Sequence, residues 1–297
     1  MNNTLIASNV CKSYGSKAVL NNLNLTVEPG CIYGLIGRNG AGKTTLLGIL
    51  TGQNTMNGGS VTYGGEPVWE NQKALAHICF SRELNSMSLF GQNNLKVRDY
   101  LRAASIYYPH WDQEYARRLA DEFGVEAKKK ICKLSKGQMS MVTIIIALAS
   151  RAPLTILDEP VAGLDVVARE RFYQLLLDDY AETNRTFIVS THIIEEAASV
   201  FERVIILDEG TILEDCPTDE LVSQFHYISG REDQVDQASA RLPVLESQTA
   251  GRHKTVTVRC GDEALSALEG LDVDVAPLNL QKVFVALCGH KEGDHYD

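Results

Sequence analysis

The chain has 297 residues, enough for one large or two modest domains at roughly 150 residues each. With 44% hydrophobic and 22% charged residues it has the material for a buried core and is not a disordered chain. Its net charge of -10 argues against a general nucleic-acid binder, and so no nucleic-acid partner is expected. The longest apolar run, 141–149, falls far short of the roughly 20 residues that span a bilayer. Met1, Asn2, Asn3 and Thr4 lack the basic and apolar regions of a secretion leader. Seven cysteines scattered from Cys11 to Cys288 without a CxxC pair read as reduced thiols. These features predict a soluble, intracellular, globular protein.

In chain order, residues 5–11 and 19–27 predict two short strands, and 31–36 a third. A glycine-rich stretch follows, then an apolar helix over 46–50 that stops at Gly52. Residues from about 70 to 150 read as mostly helical, with a strand over 76–80. Asp112 is the expected N-cap of a helix that carries Tyr115, Leu119 and Phe123 on one face and stops at Gly124. Ser135 and Gln138 form a capping box that opens the apolar helix through Ala149. Strands over 154–157, 186–190 and 204–207 then alternate with helices over 166–180 and 194–201, which predicts an α/β fold with a largely parallel sheet. Asp208-Glu209-Gly210-Thr211 reads as a hairpin turn. Beyond about Cys216 the predicted order is strand 226–228, helix 232–242, strands 244–247 and 255–260, helix 262–268, strand 273–276 and helix 280–287. That order is a split βαβ, ferredoxin-like unit. Lys291 onward reads as a frayed tail.

Gly37 to Thr44 matches G-x-x-x-x-G-K-[ST] between a strand and a helix, the context a phosphate loop requires. Backbone N–H groups of Gly37, Asn39, Gly40, Ala41 and Gly42 turn toward one centre, and the helix N-terminus adds its dipole. Lys43 would reach the β- and γ-phosphates, and the Thr44 hydroxyl, beside Thr45, would ligate Mg²⁺. Downstream, the apolar strand over 154–157 ends in Asp158 and Glu159. There Asp158 can hold the metal and Glu159 can polarise an attacking water.

At this point the residues resemble a known family. Leu134-Ser135-Lys136-Gly137-Gln138 resembles the LSGGQ signature of the ATP-binding-cassette (ABC) ATPases. Ala162-Gly163-Leu164-Asp165 is similar to their D-loop, His192 after Ser190-Thr191 to their switch histidine, and Tyr14 to the aromatic that stacks on adenine. Order and spacing match across about residues 4–215.

The resemblance implies a P-loop NTPase core with an N-terminal antiparallel β subdomain and a helical subdomain over about 80–150. The nucleotide-binding domain would span 1–216, and a small α+β domain 217–297. It further implies an ATPase in which two cassettes meet head to tail. ATP, with Mg²⁺, would sit between the phosphate loop of one and Ser135, Gly137 and Gln138 of the other. Asp165 would contact the opposite subunit, and His192 would sense the γ-phosphate. Each has a bland alternative: Ser135 and Asp165 as plain helix caps, His192 as a polar strand end, Tyr14 as an exposed turn tyrosine. A complete motif set in one chain permits a homodimer.

Two positions depart from the family pattern. Lys136 replaces a glycine; it could add attraction for the phosphate, but facing solvent is the favoured expectation. Arg82 stands near where a glutamine should touch Mg²⁺, and arginine cannot ligate a cation; Glu83 could substitute, or the linkage could run through packing. The segment Tyr107-Tyr108-Pro109-His110-Trp111-Asp112 and the C-terminal extension resemble ATPase subunits of bacterial ABC-2-type exporters of antibiotics and cytolytic peptides. Their membrane permease is a separate chain, so the resemblance implies peripheral attachment to the inner face of the membrane. Phe90, Tyr100, Tyr107, Tyr108 and Trp111 are the candidate permease contact, with a core role the bland alternative for most. A soluble nucleotide-sensing regulator with little turnover is the competing function. A dimer contact is the expected role of the C-terminal domain.

Overall fold

Residues along β1 (Leu5–Tyr14) and β2 (Lys17–Val27) switch between buried and exposed, as an antiparallel pair with one covered face requires. β3 (Ile32–Ile36) is buried at every position, the mark of a central strand. This computed structural model describes residues 3–83, 95–266, 268 and 270–289. After β3 come α1 (Lys43–Leu50), β4 (Gly58–Tyr63), β5 (Glu66–Pro67), α2 (Gln72–Leu75) and β6 (Ile78–Ser81). A helical stretch follows, with α3 (Val97–Tyr107), α4 (Gln113–Glu122) and α5 (Lys136–Ala149). The alternating part is β7 (Leu154–Asp158), α6 (Val166–Thr183), β8 (Thr186–Ser190), α7 (Ile194–Ala197), β9 (Arg203–Asp208) and β10 (Thr211–Pro217).

These strands form two sheets, in the orders β2-β1-β4-β5 and β10-β9-β3-β8-β7-β6. The first is antiparallel; in the second, β9, β3, β8, β7 and β6 pair in parallel. The order matters for function. β3, β8 and β7 are neighbours, so the loops leaving their C-terminal ends converge on one side of the sheet, where open α/β sheets bind ligands. One core cluster joins the layers, with Leu5, Val10 and Leu23 from the antiparallel sheet, Leu46 and Leu50 from α1, and Ile156, Ile188 and Leu207 from the parallel sheet. At about 25 cal/mol per Å² of apolar surface, each such side chain contributes roughly 1.5–3 kcal/mol.

Helix signals read from the sequence are met by local chemistry. Asp112 accepts the N–H of Tyr115 at 2.9 Å, and α4 buries Tyr115, Ala116 and Leu119. Ser135 and Gln138 form both halves of the capping box, each bond 3.2 Å, an N-cap worth about 1 kcal/mol. α6 runs past the expected 180 and stops where Asn184 turns left-handed at φ 51°. The helix expected over 194–201 is α7 followed by a 3-10 turn over Ala198–Val200. The hairpin joining β9 to β10 turns at Glu209 and Gly210, both with positive φ.

The chain divides into two compact units, Met1–Asp215 and Cys216–Asp297. The second opens with α8 (Thr218–Val222), a single turn too short to leave a periodic signal in the sequence. β11 (Phe225–Arg231), α9 (Glu232–Ser239), β12 (Val244–Ala250), β13 (His253–Arg259), α10 (Asp262–Ser266), β14 (Val273–Pro277) and α11 (Leu280–Cys288) complete it. Its antiparallel sheet has the order β12-β13-β11-β14, that of a ferredoxin-like unit. Val235 and Ala238 of α9 pack on Ile228, Val256 and Val258. Phe90 and the tail from Lys291 lie outside the described residues.

Candidate nucleotide site

Between the end of β3 at Ile36 and the start of α1 at Lys43 the chain makes a tight loop. Gly42 takes φ 109°, and a Cβ there would stand 2.9 Å from Leu20 Cδ2, so both backbone and space demand glycine. Gly37 and Ala41 are buried behind the loop; the Ala41 carbonyl accepts the Gly210 N–H at 3.1 Å, pinning the loop to the β9–β10 hairpin. Asn39, Gly40, Gly42, Lys43, Thr44 and Thr45 face a cleft of about 250 Å³, with Asp158 and Glu159 on its other wall.

Lys43 is 8% exposed, and its Nζ donates to the carbonyls of Gly37 at 2.6 Å and Arg38 at 3.3 Å. Burial pushes this ammonium below its ordinary range, and the nearby Glu159 and Asp158 carboxylates oppose that shift. A desolvated cation under a row of backbone donors is a site for a multiply charged anion.

Asp158 closes β7 and is 7% exposed; its Oδ1 accepts from the Ser190 hydroxyl at 2.5 Å. Glu159 is the next residue, at φ 51°, a left-handed backbone uncommon for a side chain of its kind. Its Oε2 lies 2.7 Å from His192 Nδ1, the distance of a hydrogen bond donated to the carboxylate. Lys43, Asp158, Glu159 and His192, three strand ends apart in sequence, thus form one constellation. Thr44 and Asp158 supply two oxygen donors on the same cleft, a fit for a hard cation that keeps phosphate and water oxygens as its remaining ligands. Among the described residues no group of three or more His, Cys, Asp and Glu side chains could hold a metal by itself.

The other candidates stand elsewhere. Ser135, Gly137 and Gln138 start α5 and do not line the cleft. The start of α5 packs instead on residues 162–163: a Cβ on Gly137 would stand 2.5 Å from the Gly163 carbonyl oxygen, and Ser140 Oγ donates to Ala162 O at 2.6 Å. Asp165 caps α6, accepting the Ala168 N–H at 2.9 Å. Tyr14 ends β1, half exposed, with the Lys12 ammonium 4.9 Å from its ring centre. Lys136 faces solvent, as the sequence suggests, with its side chain 55% exposed. Its Nζ pairs with Glu83 at 3.1 Å, and its stem lies against Gly163. Lys136, one of the two departures from the family pattern, thus pairs with the residue that follows the other, Arg82. Of the aromatic patch, Tyr107 is exposed while Tyr100, Tyr108 and Trp111 are half-buried. Sequence reading missed Ser190, whose hydroxyl touches the Asp158 carboxylate and the Glu159 backbone N–H, because only the sheet order reveals it.

The cleft, the loop and the parallel sheet define a nucleotide-binding cassette. The family model described as ABC transporter matches residues 20–162. The chain is 29% identical, over 94% of its length and 96% of the relative, to the ABC transporter ATP-binding protein YtrB of Bacillus subtilis (strain 168). It is 31% identical, over 96% of its length and 90% of the relative, to the Nod factor export ATP-binding protein I of Cupriavidus pinatubonensis. The bacitracin transport ATP-binding protein BcrA of Bacillus licheniformis is 32% identical over 74% of this chain and 72% of that protein. A dimeric ATP-binding cassette bound to ADP and Pi superposes with a TM-score of 0.62 at 25% identity, over 72% of this chain and 98% of that one. The chain belongs to the ABC transporter ATP-binding family. It is an ATP-binding ATPase cassette of the kind that dimerises and works with transmembrane subunits.

Proposed function

We propose that this chain is the ATP-hydrolysing subunit of a membrane exporter for peptides, toxins or antimicrobials, acting as a homodimer on a separate permease chain. The observation that carries the reading is the division of the motifs within one copy. Lys43, Thr44, Asp158 and Glu159 share a cleft, whereas the N-terminus of α5 lies outside it. A helix N-terminus with free N–H donors and a hydroxyl suits a phosphate, and a second copy supplies the geometry to use it.

In this reading Lys43 leaves the Gly37 and Arg38 carbonyls for the β- and γ-phosphates, and the loop amides of residues 37–42 hold the phosphate chain. Tyr14 stacks on the adenine. Thr44 and Asp158 hold Mg²⁺, which when bound neutralises developing charge on the transferred phosphoryl group. Glu159 accepts a proton from the attacking water, and His192 fixes the Glu159 carboxylate and donates toward the γ-phosphate. Ser135, Gly137 and Gln138 of a second copy close over that phosphate, and Asp165 lies against the opposite Glu159. ATP binding thereby draws two copies together, and loss of phosphate releases them.

Among the described residues no helix is long and apolar enough to cross a membrane. Export is supported by the Nod factor relative, which aligns through both compact units. The second unit is proposed as a dimer contact. A tagged pull-down from detergent-solubilised membranes tests the assignment. A polytopic membrane protein at near-equal stoichiometry is expected. Recovery with soluble partners alone would instead favour a nucleotide-sensing regulator.

A further inference from the structure

Ser190 ends β8, wholly buried at 0% exposure, and the parallel register sets it opposite Asp158 of β7. Its Oγ stands 2.5 Å from Asp158 Oδ1 and 3.2 Å from the backbone N of Glu159. The Glu159 N–H also reaches the Ser190 carbonyl at 3.1 Å. One side chain therefore touches both members of the carboxylate pair, the carboxylate of the first and the backbone of the second.

The proton count fixes the direction of these bonds. A serine hydroxyl has one proton and two acceptor sites, and a backbone N–H can only donate. Oγ accepts from Glu159 N–H, so its single proton goes to Asp158 Oδ1. Asp158 Oδ2 has no hydrogen-bond partner among the described residues, and Asp158 lines the cleft with Lys43 and Thr44. The neighbouring Thr191 Oγ1 accepts the Ile193 N–H at 3.0 Å. The same Glu159 N–H is the anchor of the φ 51° turn that brings the Glu159 side chain to His192.

We propose that Ser190 is a positioning residue for the hydrolytic site: it ties down Oδ1 of Asp158 so that Oδ2 is offered to the cation, and it holds the left-handed Glu159 backbone that aims the general base. The inference rests on the reading of Asp158 as a Mg²⁺ ligand and Glu159 as the base. Ser190 itself is buried and does not line the cleft. Partners that orient a metal ligand are typically worth about 10–100-fold in metal affinity or activity.

The test uses the full chain as wild type, Ser190→Ala and Ser190→Thr, with ATP binding titrated calorimetrically in EDTA and across a Mg²⁺ series, and steady-state hydrolysis split into kcat and KM. For Ser190→Ala, the Mg²⁺ concentration for half-maximal tightening of ATP binding should rise about tenfold and kcat should fall by at least that factor. ATP affinity in EDTA and KM should stay within about twofold, since the phosphate loop is untouched; Ser190→Thr should restore both Mg²⁺ dependence and kcat. Unchanged Mg²⁺ dependence and kcat in Ser190→Ala would overturn the proposal. So would an equal loss of EDTA-state affinity that threonine does not rescue, the mark of a general packing defect. Wild-type turnover no faster than a Lys43→Ala control would sink the hydrolytic reading instead, and the Mg²⁺ series on binding would still decide the role of Ser190.

Discussion

β7 and β8 carry ionised groups at both ends, and the two ends are built in opposite ways. At the N-terminal end, Arg185 sits 6% exposed and clamps Asp179 through Nε at 2.6 Å and Nη2 at 2.9 Å. Its remaining donors go to Thr155 Oγ1 at 3.1 Å and to the carbonyls of Leu148 at 3.0 Å and Ala152 at 3.4 Å, and Arg151 adds a bond to Asp179 at 3.0 Å. Every charge there has its partner within the fold, and the cluster ties the end of α5 to α6 and β8. At the C-terminal end, Lys43 rests on two carbonyls and Asp158 and Glu159 stand beside it around an open cleft. A buried cation held only by neutral acceptors is costly to the fold and is kept where an anion will arrive. Saturation marks the structural end, and the groups left available mark the working end.

This contrast can be broken from either side. Lys43→Ala should produce the largest effect, turnover falling to background, while the melting temperature holds or rises because a desolvated ammonium is removed. Phosphate release and thermal melting read this together; lost activity with lost stability would mean that Lys43 is structural. Asp179→Ala should do the reverse, costing about 3–5 kcal/mol in urea unfolding because Arg185 is left buried and uncompensated. ATP affinity of the folded fraction should stay near wild type. Smaller still is the exposed Lys136–Glu83 pair, worth roughly 0–1 kcal/mol to stability. Lys136→Glu should nevertheless lower turnover a few-fold by repelling the loop that carries Glu83, and Glu83→Lys in the same chain should recover it. Additive losses in that double mutant would show that the contact has no functional weight.

Much of the working end was legible in the sequence because its signals are local. The loop from Gly37 to Thr44 is contiguous, the capping box of Ser135 and Gln138 spans a single turn, and the apolar run into Asp158 announces a strand end. What stayed hidden depends on which strands are neighbours. Ser190 looks like an ordinary serine until β8 lies beside β7, and Arg185 like an ordinary surface arginine until α5 and α6 close over it. Lys136 faces solvent as expected, and what stayed hidden is its partner Glu83, distant in sequence. The single turn of α8 is too short to imprint any period.

In the proposed function Glu159 acts on water in a site completed by a second copy. Purified Glu159→Gln and wild-type protein, each with Mg²⁺ and ATP, should be followed by phosphate release and by mass in size exclusion. Glu159→Gln should lose turnover by about 100-fold or more, through loss of the proposed general base, while accumulating a species of doubled mass. A monomeric Glu159→Gln that releases phosphate at the wild-type rate would contradict this reading.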